Sequence, residues 1–550
     1  MPVSASERLD ALARDYFEAV YVARPTYATI IGVHRFDAVL DDLSRPAIDA
    51  YAAQTRFFLD RLREIDRSTL TVREAVDCCL LESAMLVELH DDEVRQVWRR
   101  DPALYVDGPV TAVSLQLSRD YAPLAERLDA VAGRLESLPR HLDTARRNLD
   151  NPPRVYVEVA IETTEGAITF LDETVAEVAR GAPAEVAGRL VAARETALAT
   201  TRSYLEWLRS DLLTRANGDF ALGRDAFAER LRIEHLLDYS LDEIVVIGRR
   251  VFDETREQIV ALAAEIDPDR TWERIVEDAR RDRPTAEGLI DAYRRELTKL
   301  RAFVVERGLA AIPANEVLDV IETPTFARST TPYGAYMPPA PFDAEQRGQF
   351  WVTPIDPKLS AAEREELLGE HCWAGLPSTA LHEAYPGHHL QLVCANSVAD
   401  VVRKHAESTL FAEGWALYCE QLMGEQGYVP VGLEDGDPRL FRLFLLKDQL
   451  WRAARILIDV GLHAGGMSVD EAVRLLVDEV KLVEAAARVE VNRYTMTPTQ
   501  PLSYMLGKLE ILALREEFRG LPLGAFHNRL LANGTIPLKL ARAEMSGKAP

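Results

Sequence analysis

His382-Glu383-Ala384-Tyr385-Pro386-Gly387-His388-His389 gathers three of the chain's 11 histidines into eight residues, with an acid beside the first. Just upstream, Pro377-Ser378-Thr379-Ala380-Leu381 reads as a helix start with Ser378 as candidate N-cap. Imidazoles and a carboxylate this close together are ligands for a divalent metal. The spacing does not suit a regular helix. His388 lies six residues after His382, a rotation of about 600°, hence about 120° off its face. His389 returns at about 700° to nearly the same face but about 10 Å along the axis. Zinc ligands sit about 2.0–2.1 Å from the metal, so the backbone must bulge before either can join His382. Pro386-Gly387 supplies the means: Pro removes a helical donor and Gly tolerates unusual backbone angles.

Zinc peptidases carry a His-Glu-x-x-His helix in which both histidines bind the ion and the glutamate takes a proton from the attacking water. A two-residue insertion that bulges outward turns that pattern into the one here. His388 is then the second ligand, with His389 as the alternative. Glu383 is the general base. A third protein ligand is needed, with one position left for water. In the zinc peptidases called gluzincins it is a glutamate on a later helix. Glu413, 25 residues after His388, lies in the apolar run Phe411-Ala412-Glu413-Gly414-Trp415-Ala416-Leu417-Tyr418-Cys419-Glu420. A buried acid is costly without a partner, and a metal is a partner. Glu420, two turns on, is an alternative ligand or an orienting group.

Outward from this stretch the chain is helical. Ser4 to Ala23 puts Leu9, Leu12, Tyr16, Ala19 and Val20 on one stripe, and Ser4 with Glu7 has capping-box spacing. Similar stretches cover 47–65, 72–89, 124–149, 161–178 and 184–212. Ser240 and Glu243 open another long helix. Asn151-Pro152-Pro153, Arg283-Pro284 and Ile312-Pro313 are breaks. Between 316 and 357 the character changes. Val317 to Ile321, Tyr333 to Met337 and Gln349 to Thr353 read as short strands. Pro338, Pro339 and Pro341 turn the link between the last two into a long loop. The expected fold is mainly α: a large helical body with a small β-sheet beside the active-site helix. Residues 1–315 would form a helical wall of the cleft and 316–550 the catalytic region, integrated into one body.

The composition narrows the function. Lys plus Arg is 64 and Asp plus Glu 88, a formal charge of −24. That disfavours nucleic acid or an anionic membrane as partner, since binding phosphate needs a basic face. The polar N-terminus lacks an apolar leader run, and no stretch reaches the roughly 20 apolar residues of a membrane span. Five cysteines, Cys78, Cys79, Cys372, Cys394 and Cys419, argue against a disulfide framework, and a cytoplasmic location is expected.

The residues also resemble one bacterial family, domain of unknown function 885, treated as zinc metallopeptidases. Its signature, His-Glu-x-x-Pro-Gly-His followed by a second His and x-Gln, is present through Gln391. Its Glu-Gly-Trp-Ala-Leu-Tyr segment matches Glu413 to Tyr418. Arg455-x3-Asp459-x-Gly461-Leu462-His463 is similar too, as is Arg493-Tyr494 with Pro498, Gln500, Tyr504 and Gly507-Lys508. The resemblance implies a gluzincin-like helical fold with one Zn²⁺. It also implies His382, His388 and Glu413 as ligands and Glu383 as base.

Amide hydrolysis needs an oxyanion donor besides zinc. Tyr494 and Tyr504 are the first candidates, then His463 and Arg493. Arg493 is also a candidate for holding a substrate carboxylate. The expected activity is metal-assisted hydrolysis of a peptide or amide. The alternatives are hydrolysis of a small non-peptide amide, and a non-catalytic helical metal-binding protein.

Overall fold

A computed structural model describes residues 4–324, 328, 331 and 333–550. The chain divides into two compact units, 1–222 with 340–344, and 223–339 with 345–548. Position 315/316, where the sequence changes character, lies inside the second unit at the start of its first strand.

The first unit is helical. Ser4 caps Ala5–Ala23 through the expected capping box with Glu7. Val72–Leu89 has the predicted limits. Leu124–Asn148 packs along Ala184–Trp207. Their apolar stripes, Leu128, Val131, Leu135 and Leu142 against Leu190, Ala193 and Ala197, are buried as the 3.6-residue period dictates. The break at 151–153 ends one helix at Asn148 and starts the next at Arg154.

The second unit carries the histidine stretch. Its helices are α1 (Leu241–Ile266), α2 (Leu289–Glu306), α3 (Leu376–Glu383), α4 (His388–Asn396), α5 (Thr409–Glu425), α6 (Arg439–Ala464), α7 (Glu484–Met496) and α8 (Gln500–Glu517). Ser240 and Glu243 form the expected capping box on α1. Three strands, β1 (Glu316–Glu322), β2 (Gly334–Met337) and β3 (Gln346–Val352), form one sheet in the order β1-β3-β2. β1 runs parallel to β3, and β2 antiparallel to it. β3 takes the centre because Phe350, Trp351 and Val352 are all buried, and only a central strand hides consecutive side chains on both faces.

The register puts Glu316, Tyr336, Gly348 and Phe350 on one face. Phe350 packs on Tyr293 of α2, ring centroids 5.2 Å apart. The same face reaches the histidine stretch: Tyr385 donates to Glu316 at 2.6 Å, and Tyr336 pairs with His389 at 2.9 Å. The sheet therefore lies beside the histidine stretch, as expected. No helix among the described residues is long and apolar enough to cross a membrane.

Candidate metal centre

The predicted bulge is a full break. α3 ends at Glu383, α4 starts at His388, and Ala384 to Gly387 turn the chain between them. Gly387 is where the two halves touch. Its N–H donates to the Leu381 carbonyl at 3.0 Å. A Cβ at Gly387 would lie 1.9 Å from the His382 carbonyl oxygen, so only glycine closes this junction. The Pro386 carbonyl accepts from the Trp415 indole at 2.8 Å, which ties the turn to α5.

α5 presents Glu413 to this junction. Gly414, the next residue, faces Gly507 of α8. Cβ atoms there would approach the opposite backbone to 2.4 Å at Gly414 and 1.9 Å at Gly507. The glycine pair lets α5 and α8 cross in backbone contact, and so brings Tyr504 and Lys508 of α8 up to the centre.

His382, His388 and Glu413 meet, with one donor atom from each within 4.8 Å of the others. The imidazole rings are 4.8 Å apart and nearly perpendicular. Oε2 of Glu413 lies 3.3 Å from Nε2 of His388 and 3.6 Å from Nε2 of His382. It is buried and completes no hydrogen bond. Two nitrogens and an orphaned carboxylate oxygen converging in a buried spot fit a zinc ion, which takes these donors tetrahedrally and leaves a position open. The side chains of His388 and Glu413 keep 14% and 18% of their surface against 9% for His382, so the open side lies toward the first two.

The imidazoles and carboxylates of the cluster shift one another. Burial disfavours a charged His382, but Glu413 and Glu420 outweigh it and raise the imidazole to about 10. Burial would likewise raise Glu413, but His388 and His382 hold it well below the usual carboxylate range.

The two alternative ligands are elsewhere. Glu420 stands behind His382, its Oε1 2.8 Å from Nδ1. That contact turns Nε2 toward Glu413, the carboxylate–imidazole arrangement that orients metal ligands. His389 is not part of the cluster. Its Nε2 meets Glu316 at 2.8 Å and its Nδ1 meets Tyr336 at 2.9 Å, so both ring nitrogens are engaged. Glu316 also accepts from Arg301 at 3.0 Å. Burial opposes its charge, but His389, Tyr385 and Arg301 outweigh it and hold the carboxyl at about 2.

Glu383 follows His382 at the end of α3 and is half-buried. Its charge acts on both His382 and Tyr336. Of the oxyanion candidates, Tyr504 alone is at the centre: its ring stacks on His382 at 6.4 Å and 18°. Burial and then the Glu413 charge raise its phenol, so it keeps its proton. Asp459, fully buried, accepts from the N–H groups of Thr499 and Leu502 and so fixes the start of α8 that carries Tyr504.

The other candidates are committed. The Tyr494 hydroxyl accepts from Arg455 at 2.7 Å and from Trp451 at 3.2 Å, fully buried. His463, in the last turn of α6, has Nε2 on the Tyr494 carbonyl at 3.0 Å and its ring stacked on Phe227. Arg493 bonds Glu490 and Gln500. Two residues of the site act otherwise than the sequence tells. Ser378, expected as the N-cap, lies inside α3, which starts at Leu376, and donates to Asp448 of α6 at 2.8 Å. Lys508 is buried near Glu420, and desolvation lowers its ammonium to about 8.

The fold is shared with two solved structures. A candidate lipoprotein of unknown function from Shewanella oneidensis superposes with a TM-score of 0.80 at 22% identity, over 99% of this chain and 100% of that one. A candidate lipoprotein from Colwellia psychrerythraea gives 0.82 at 18% identity, over 99% of each. No curated protein matches. Both are described as lipoproteins, and the expected cytoplasmic location is corrected on that description and not upheld. That expectation rests on scarce cysteine. A chain with this much buried core needs no disulfides in any compartment, so its five free thiols do not report the compartment. A model of the family described as bacterial protein of unknown function (DUF885) matches residues 25–545, nearly the whole chain, and the protein belongs to that family.

Proposed function

We propose that this protein is a zinc-dependent hydrolase of peptide or amide bonds with a gluzincin-like centre. The observation that carries this reading is the buried, unbonded Oε2 of Glu413 between the Nε2 atoms of His382 and His388. These three residues would hold the ion. When bound, zinc supplies a Lewis acid that polarises a carbonyl and acidifies water.

The chain's own residues supply the rest. Glu383 stands beside the first ligand with a carboxylate free to take a proton from the attacking water and pass it to the leaving amine. Tyr504 retains its proton and stacks on His382, where its hydroxyl can donate to the oxyanion that forms on the carbonyl. Glu420 keeps His382 in the tautomer that presents Nε2. Gly387 and Trp415 hold the two ligand helices at their angle.

The test measures zinc content and amide hydrolysis in wild type, Glu383→Gln and His388→Ala. Wild type and Glu383→Gln should each carry one zinc, with hydrolysis about 10²–10⁴-fold slower in Glu383→Gln. His388→Ala should lose the metal. Full activity in Glu383→Gln would overturn the mechanism.

A further inference from the structure

The centre holds unbonded buried atoms of both signs. Glu413 and Glu420 each leave a carboxylate oxygen without a hydrogen bond, and Arg455 and Arg452 each leave a guanidinium nitrogen without one. The carboxylates fit a metal. The guanidinium nitrogens are on α6 three residues apart and are open to a further acceptor such as an anion.

Arg455 is the more telling of the two. It is 4% exposed, a cation almost wholly removed from water. Its Nε donates to Tyr494 at 2.7 Å and its Nη2 pairs with Glu490 at 3.1 Å. Nη1, on the opposite side of the planar group from that fork, has no partner. The guanidinium lies between aromatic rings, 4.4 Å from the Trp451 centroid and 4.5 Å from that of Tyr504. Arg452 stacks on the same Trp451 ring, 4.9 Å from its centroid, with its Nε unbonded.

The local charge does not balance. Glu490 is shared by Arg455 and Arg493. Asp448 is shared by Lys447 and Arg452. Each group has one cation in excess, in a chain whose net charge is −24. A desolvated cation with an open donor is costly unless an anion completes it.

Tyr504 links this cation to the centre. Its ring centroid is 6.4 Å from the His382 ring and 4.5 Å from Cζ of Arg455, so the guanidinium is no more than about 11 Å from His382. An extended chain advances about 3.3–3.6 Å per residue. An anion on Arg455 therefore lies within two or three residues of a carbonyl held at the metal cluster.

We propose that Arg455, flanked by Arg452, binds the free C-terminal carboxylate of a short peptide, which makes the enzyme an exopeptidase acting close to the C-terminus. This rests on the hydrolase reading above. Arg493, the sequence candidate for this role, is already held by Glu490 and Gln500.

The test uses zinc-loaded protein and acetyl-Ala-Ala-Ala-Xaa peptides, with Xaa alanine, phenylalanine, lysine or glutamate, each as free acid and as C-terminal amide. Binding is measured by calorimetry in Glu383→Gln, where turnover is suppressed. At least one free acid should bind roughly 10- to 100-fold more tightly than its amide, as a charge-assisted hydrogen bond requires. In Glu383→Gln/Arg455→Gln the two forms should bind within threefold. Arg455→Lys keeps the charge without the fork and should retain part of the preference, which covers a glutamine variant that fails to fold.

Equal binding of acid and amide overturns the proposal, as does a preference that survives in folded Arg455→Gln, or no binding of any probe. Hydrolysis separates the two readings. Wild type cleaving acid and amide equally keeps the hydrolase and removes the anchor. Wild type cleaving neither, while Glu383→Gln keeps the preference, removes the hydrolase and keeps the anchor.

Discussion

Adding one methyl group at Gly387 should disassemble the metal centre. A Cβ there would stand 1.9 Å from the His382 carbonyl oxygen and 2.3 Å from that of Leu381, against the 3.0 Å below which real Cβ contacts essentially never occur. The junction must therefore open by about 1.1 Å. Both obstructing atoms are backbone, so no rotamer change relieves them. Trp415 pins the Pro386 carbonyl on one side of the methyl, and His388 follows directly on the other. The displacement falls on His388. Metal–ligand distances tolerate about 0.2 Å, several times less than the movement. Overpacking costs about 1–3 kcal/mol, and backbone against backbone belongs at about 3. Gly387→Ala should thus bind zinc at least about 100-fold more weakly, read by competition with a calibrated chelator, and melt earlier by calorimetry. Gly188→Ala is the control. Gly188 is on the helix Ala184–Trp207, and a Cβ there meets nothing within 4 Å. Removing its backbone freedom should stabilise by about 0.5–1 kcal/mol with zinc affinity unchanged. A Gly387→Ala protein that binds zinc within threefold of wild type, with an unshifted midpoint, refutes this account of the junction.

Three further outcomes follow from the same geometry. Glu420→Gln removes the carboxylate behind Nδ1 of His382 and should weaken zinc binding about 10–100-fold in the same competition assay. Tyr504→Phe should lose about 10²–10³ in kcat with zinc content intact, whereas Tyr494→Phe leaves Arg455 and Trp451 short of an acceptor and should cost about 1–3 kcal/mol in denaturant unfolding. Glu296 on α2 is buried, and desolvation raises its carboxyl to about 7 against the hydrogen bonds from Tyr428 and Val431. The folded state then holds a proton that the unfolded chain releases near pH 4.5. Its stabilisation is full below that pH and is lost as pH rises through 7, by about 3 kcal/mol. Glu296→Gln should flatten unfolding free energy between pH 5 and 8, and curves parallel to wild type would contradict the assignment.

Periodicity carried the helices because their burial is one-sided: Leu9, Leu12, Tyr16 and Val20 are all buried on Ala5–Ala23. Capping boxes at Ser4 and Ser240 were legible for a local reason, since donor and acceptor lie three residues apart. The sheet's existence was legible in the β-rich composition of 316–357. Its parallel β1–β3 pairing was not, because strand order depends on which strand the helices bury on both faces. Phe350-Trp351-Val352 is the one trace of that in the sequence.

The same distinction explains the site. Pro386-Gly387 between histidines rules out a continuous helix, and that is enough to let a later histidine turn back to His382. Choosing between His388 and His389 by rotation alone could not succeed, since a broken helix has no common axis along which to count. The choice is made by Glu316, 73 residues before His389 on a strand, which takes the His389 ring out of contention. Glu413 was found because an acid in an apolar run demands a partner; Arg455 obeys the same rule but escaped it. Its run is just as apolar, Ala453-Ala454 before it and Ile456-Leu457-Ile458 after. A lone arginine in such a run is readily assigned to a neighbouring acid, and half of that assignment holds here, through Glu490. What the sequence conceals is that Glu490 is also taken by Arg493 and that Tyr494 takes the other donor of the same fork, which leaves Nη1 open. A buried charge in an apolar helix is thus a question put twice in this chain. At Glu413 an oxygen is left open to a cation, and at Arg455 one donor, Nη1, is left open to an anion. A substrate whose carbonyl meets the first and whose carboxylate meets the second would bring an acceptor to the open Nη1 of Arg455 on the side of the centre where a metal would sit.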